Sequence, residues 1–116
     1  MLDFQKLEVY QKARKMHEKV LLFLKENKKV PLKLNDQVSR AALSVMLNIA
    51  EGSGRFTKPD KKHYYAQARG SAFESLACLE ACFDLGHLDD GDLRIFQNEY
   101  EDISKMLFAM IRKLEV

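Results

Sequence analysis

Tryptophan is absent, and proline occurs only at Pro31 and Pro59, both between stretches of helical periodicity. The two cysteines, Cys78 and Cys82, are four residues apart on one face of a helical pattern. A disulfide framework joins segments distant in sequence, so this spacing points to two small buried hydrophobes in a reducing compartment. His17, His63 and His87 lie on three different segments with no metal-ligand spacing among them. No Glu-x-x-His pair occurs, which removes the ligands of the di-iron kind of helical bundle. The apolar run Val20-Leu-Leu-Phe-Leu24 is far short of the roughly 20 residues needed to span a bilayer. No apolar core of a secretory signal follows Met1. No segment alternates with period two long enough to make a strand. Gly52-Ser-Gly-Arg-Phe-Thr-Lys58 is glycine-rich, but it sits between two helical patterns and matches neither a phosphate loop nor a dinucleotide fingerprint. No local motif supports a nucleophile–histidine site. These absences lead to the expectation of a chain with no catalytic residues, metal, cofactor or small-molecule substrate, and no place in a membrane.

The residues that are present describe helices. A length of 116 residues with 47% apolar content fits one domain, residues 1–116, with a modest core. The first helix is expected from about Lys6 to Asn27, with Val9, Ala13, Met16, Val20 and Leu24 as its apolar stripe. It ends before Pro31, which disfavours a helical residue ahead of it. The second is expected from about Leu34 to Glu51, closed by Gly52 and Gly54 in the left-handed conformation. The third starts after Thr57, a capping residue followed by Asp60 in the first turn, and stops near Leu85 and Gly86. Asp89 caps the fourth, whose Leu93, Phe96, Tyr100, Ile103, Leu107, Met110 and Leu114 form a bundle seam. Short loops make successive helices antiparallel neighbours. The fold class is therefore all-α, an antiparallel up-down four-helix bundle.

The second helix has an inverted cross-section. Gln37, Arg40, Ser44, Asn48, Glu51 and Arg55 recur at spacings of three and four, sharing one narrow stripe at about 100° per residue. Nearly everything else on it is apolar or small. A helix of that kind calls for more than one apolar partner, first in a bundle and then in a homo-oligomer. The third helix offers a matching polar row in Gln67, Gly70, Ser71 and Glu74. Buried charges need partners, so Arg40 and Glu51 are expected to meet groups such as Glu74 and Arg69. Arg40, Asn48, Glu51, Ser71 and Glu74 then form a structural polar network, with Gly70 and Ser71 allowing close helix approach.

The net charge of +2 conceals a split, with +8 over residues 1–69 and −6 over residues 70–116. The basic half supplies two clusters: Arg55, Lys58, Lys61, Lys62 and Arg69 around the second loop, and Lys12, Arg14, Lys15 and Lys19 along the first helix. Tyr64 and Tyr65 are interleaved with the first cluster and offer rings for base stacking. One reading is a nucleic-acid surface, contacting phosphates through Arg55, Lys58, Lys61, Lys62 and Arg69, with Lys12 and Arg14 as outlying contacts. The other is a structural or protein-interaction bundle whose basic and acidic helices pair with one another.

Several motifs together carry a resemblance: Asp3-Phe4, Leu7-Glu-Val-Tyr10, Gln37-x-x-Arg-Ala-Ala42, Ser44, Asn48-Ile-Ala-Glu-Gly-x-Gly-Arg55, Ala68-Arg-Gly-Ser71, Glu74 and Leu85-Gly86. The chain resembles the four-helix bundle proteins encoded in intervening sequences of bacterial 23S rRNA genes. That family is in turn similar to the accessory variability proteins of diversity-generating retroelements. The resemblance implies a bacterial cytoplasmic protein, a ring-like homo-oligomer with a pentamer as first guess, and a nucleic-acid-associated role, RNA or DNA, without catalysis. Two departures stand out. Tyr10 replaces the family's usual Trp, and Ser44-Val-Met-Leu47 replaces a frequent Ser-Ile-Pro-Ala, which implies a straighter second helix.

Overall fold

The computed structural model describes residues 1–115. A short 3-10 helix, Asp3–Lys6, leads into α1 (Glu8–Glu26), α2 (Leu32–Ser53), α3 (Lys58–Asp84) and α4 (Asp90–Leu114). The chain is a rod of 44 × 22 × 22 Å. Side-chain pairings fix the directions. Along α2 and α3, Gln37 meets Glu74, Ser44 meets Ser71 and Arg55 meets Tyr64, so the two run antiparallel. Ser75 with Tyr100 and Arg69 with Ser104 do the same for α3 and α4. Lys19 with Glu99 and Phe23 against Phe96 close the circuit between α1 and α4. α2 packs most extensively on α3, while α1 packs beside α2 and α4 and lies diagonally opposite α3. The architecture is the up-down four-helix bundle expected from the periodicity.

The core follows the seams. Val9, Ala13, Met16 and Val20 from α1, Val38, Ala42, Val45 and Ile49 from α2, and Ile103 and Leu107 from α4 form one contiguous cluster. The inner face of α3 is built of small groups: Ala68, Ala72, Ser75 and Cys82, with Tyr65 and Leu79 as its large members. Its buried Ser75 hydroxyl bonds to the Tyr100 hydroxyl at 2.7 Å, which satisfies both. Burial pushes the Tyr100 phenol up to about 12, against the lowering effect of Ser75. The unfolded chain releases that proton near the ordinary value of about 10 and the folded chain holds it. Stability is therefore unaffected by this group below pH 10 and falls as pH rises from about 10 to 12, by up to about 1.4 kcal/mol per pH unit. Urea unfolding at pH 9–11.5 should show this loss in the wild type, and a shallower loss in Tyr100→Phe.

Several expected boundaries shift. The first helix begins later, because Leu7 is extended (φ −72°, ψ 127°) and separates the 3-10 turn from α1. α2 is longer at both ends, starting directly after Pro31 and running through Gly52. The left-handed conformation expected of Gly52 and Gly54 is not found: Gly54 has φ −85°. Among the described residues, only Gly86 has positive φ, at 84°. There the His87 amide donates to the Cys82 carbonyl and the Gly86 amide to Phe83, a Schellman closure of α3. The caps of α3 and α4 are as expected, with Thr57 accepting from the Asp60 amide and Asp89 from the Asp92 amide.

Candidate nucleic-acid interface

The α2–α3 turn, Gly54–Thr57, lies at the end of the rod that also holds the start of α1 and the end of α4. It is tied from both sides. The Gly54 amide donates to Ala50 and Glu51, and the Arg55 amide to Gly52. Lys61, one turn into α3, reaches back to the carbonyls of Ser53 (2.9 Å) and Gly52 (3.4 Å). A cation at those carbonyls neutralises the negative end of α2. Arg55 donates to the Glu51 carboxylate and to the Tyr64 hydroxyl, both at 2.8 Å, and its guanidinium lies 4.6 Å from the Tyr64 ring centre. Its Nε is buried without a hydrogen-bond partner. Lys62 faces Glu115 at 3.8 Å. Lys58 is exposed at the first position of α3.

The structure gathers Arg55, Lys58, Lys61 and Lys62 at this one end. It does not gather the rest. Arg69 turns toward α4, donating through Nε to the Ser104 carbonyl and hydroxyl, with its guanidinium over the rings of Phe73 and Phe108. Lys12 and Arg14 lie near the start of α1, at this end of the rod but on a helix that packs beside α2 and α4 rather than beside α3. The tyrosines change role as well. Tyr65 is buried, and Tyr64 is half-buried with Arg55 against its ring, so neither presents an open face.

The polar network is also rearranged. Its connected part is Asn48, Ser44 and Ser71. The Asn48 amide donates to the Ser44 carbonyl and hydroxyl, both at 2.9 Å, and the Ser44 and Ser71 hydroxyls meet at 2.8 Å. Arg40, Glu51 and Glu74 are exposed rather than buried in the single chain. Glu51 pairs with Arg55, Glu74 accepts from Gln37 at 3.4 Å, and among the described residues Arg40 makes no ion pair. The reason is geometric: the stripe lies on the outer edge of the α2–α3 seam, not inside it. Gly70 does not mediate close approach, since no atom lies within 4 Å of a Cβ built there. Gly52 does. A Cβ there would fall 2.8 Å from the Tyr65 ring and 3.0 Å from Tyr64 Cβ. The sequence reading missed this role, although a glycine in the last turn of an apolar helix, ahead of two tyrosines, is a readable signal.

The sequence profile of the 23S rRNA-intervening sequence protein family matches residues 5–109. The chain belongs to that family. A solved structure of a protein of unknown function from the S23 ribosomal protein family of Bacteroides thetaiotaomicron superposes with a TM-score of 0.82. It is 21% identical, and the match covers 89% of this chain and 97% of that one. At that identity the likeness supports the fold. No curated protein gives a significant match. Neither description names a reaction, and among the described residues no group of His, Cys, Asp and Glu is arranged to hold a metal ion. No described helix is long and apolar enough to cross a membrane.

Proposed function

We propose that this family member is a non-enzymatic helical bundle of the bacterial cytoplasm that binds RNA or DNA mainly through phosphates. The observation that carries the reading is the convergence of Arg55, Lys58, Lys61 and Lys62 on one tied-down turn at one end of the rod. The ion pairs there are exposed, worth about 0–1 kcal/mol each, so a phosphate can replace Glu51 or Glu115 at small cost. Affinity should fall steeply with salt, because each phosphate contact releases counterions. Replacing Lys58, Lys61 and Lys62 together by Gln should weaken binding to all sequences alike. It should also reduce the log–log salt slope by roughly 2–3, at about 0.9 per lost contact on duplex DNA. Lys61 also caps α2, so the Lys58→Gln, Lys62→Gln double variant serves as the folded control. An unchanged slope in both variants would favour the second reading, an accessory interaction bundle. That reading draws on Arg55, Lys61 and Lys62 having partners within the chain already.

Homo-oligomerisation belongs to the same proposal, with a pentamer as the first guess. Leu43 and Leu47 remain exposed on α2, the latter at 54%, and Phe73 and Phe108 on the α3–α4 groove. Two different apolar patches suit a heterologous, ring-closing contact, in which one patch meets the other on the next subunit. Repetition around a ring would multiply weak phosphate contacts. Light scattering should give a mass several times 13.4 kDa. Leu43→Lys with Leu47→Lys should return it to the monomer without loss of helicity, and a wild-type monomer at micromolar concentration would remove this part of the proposal.

A further inference from the structure

Phe56 stands at the tip of the α2–α3 turn with 99% of its surface exposed, so both faces of its ring are open. The other exposed phenylalanines, Phe73, Phe83 and Phe108, lie along helices and are each about half covered or more. Single exposed apolar residues are common on protein surfaces, and exposure alone assigns nothing. Two further observations distinguish this ring. Its backbone sits on a four-residue turn anchored by the Arg55 pairs, the Lys61 contacts and the Thr57 cap, so little freedom remains to be lost when a ligand is bound. Its neighbours on both sides are cationic, with Arg55 before it and Lys58 two positions after it.

We infer that Phe56 is a base-stacking platform and that the site takes single-stranded nucleic acid in preference to duplex. This rests on the phosphate-binding reading and names its ligand class. An aromatic ring gains by stacking only on a base whose face is open, which a single strand offers and the interior of a duplex does not. The neighbouring cations hold the strand by its phosphates, and the ring engages the base between them. Stacking is tolerant of base identity, in keeping with a bundle that carries no groove-reading motif.

The test is fluorescence anisotropy with a labelled 20-nucleotide mixed-sequence strand and its duplex at one salt concentration. The variants are Phe56→Ala, Phe56→Leu and Phe56→Trp. The wild type should bind the single strand more tightly. Phe56→Ala and Phe56→Leu should each lose about 5- to 150-fold on the single strand, the value of one stacked base. Both should leave duplex binding unchanged, and Phe56→Trp should keep single-strand affinity. Because the ring is bare, circular dichroism should be the same for all four proteins. If the wild type binds both nucleic acids and Phe56→Ala changes neither, this inference falls while the phosphate reading stands. If Phe56→Leu behaves as wild type, the contact is apolar rather than stacking, and the inference falls. If Phe56→Ala instead lowers the assembled mass, the ring is buried between subunits and the inference falls. No binding by the wild type at low salt would overturn both readings.

Discussion

Gly52→Ala is expected to destabilise the bundle by about 1–3 kcal/mol, the usual cost of forcing an extra carbon into a packed interface. Two effects oppose each other. Alanine is intrinsically better than glycine inside a helix, by about 1 kcal/mol, and less in a last turn that is partly frayed. Against this, the new methyl would sit 2.8 Å from Tyr65 Cε1 and 3.0 Å from Tyr64 Cβ. The Tyr65 ring is buried at 6% exposure and cannot swing away, and Tyr64 Cβ moves only with the α3 backbone. The two helices, the most extensively packed pair of the bundle, must therefore part at this end. Gly70 and Gly54 provide the internal controls. Gly70→Ala meets open space and should stabilise by about 0.5–1 kcal/mol through propensity alone. Gly54→Ala meets only carbonyl oxygens at 3.6 and 3.8 Å and should be near neutral. Urea midpoints for the three variants would check the ordering, and a Gly52→Ala protein as stable as Gly70→Ala would refute the close-packing argument.

Ile103→Ala is expected to cost about 2–5 kcal/mol, the range for removing a large aliphatic side chain from a core. Ile103 is 0% exposed at the centre of the α4 seam, where its neighbours belong to other helices and cannot all collapse into the gap. Ile95, on the same helix but 51% exposed, is the comparison: Ile95→Ala should cost under about 1 kcal/mol. Chemical denaturation of both variants separates a buried seam from an outward face, and equal losses would mean that the α4 register is wrong.

The helices were legible because each carries its own period. The α4 seam reads directly as alternating threes and fours: Leu93, Phe96, Tyr100, Ile103 and Leu107 are buried, and Met110 and Leu114 are partly buried. The caps at Thr57 and Asp89 were legible because capping is chemistry within a few residues. α3 was harder to read, because its buried face is built of alanine, serine and cysteine, which differ little from its outer face in hydrophobicity. The polar stripe of α2 is a row, as its spacing indicates, and in the single chain its Arg40 and Glu51 lie exposed. Periodicity gives the angle of a residue around its helix, while burial depends on where the neighbouring helix stops.

The candidate interface divides in the same way. The cluster of Arg55, Lys58, Lys61 and Lys62 is a local property, since all four sit on one turn and the first turn of the next helix. Composition alone could not say that Arg69 would leave this group for Ser104, or that Lys12 and Arg14 would lie on the helix diagonally opposite α3. Nor could it decide which aromatic ring is open. Tyr64 and Tyr65 look available in sequence, yet the close approach at Gly52 buries one and Arg55 covers the other, leaving Phe56 bare. The sequence by itself determined the four helices, their order and the capped starts of α3 and α4, because spacing and capping act over a few residues. The tertiary structure alone decided which polar groups meet and which rings face water, because those outcomes depend on distances between helices that local sequence does not encode.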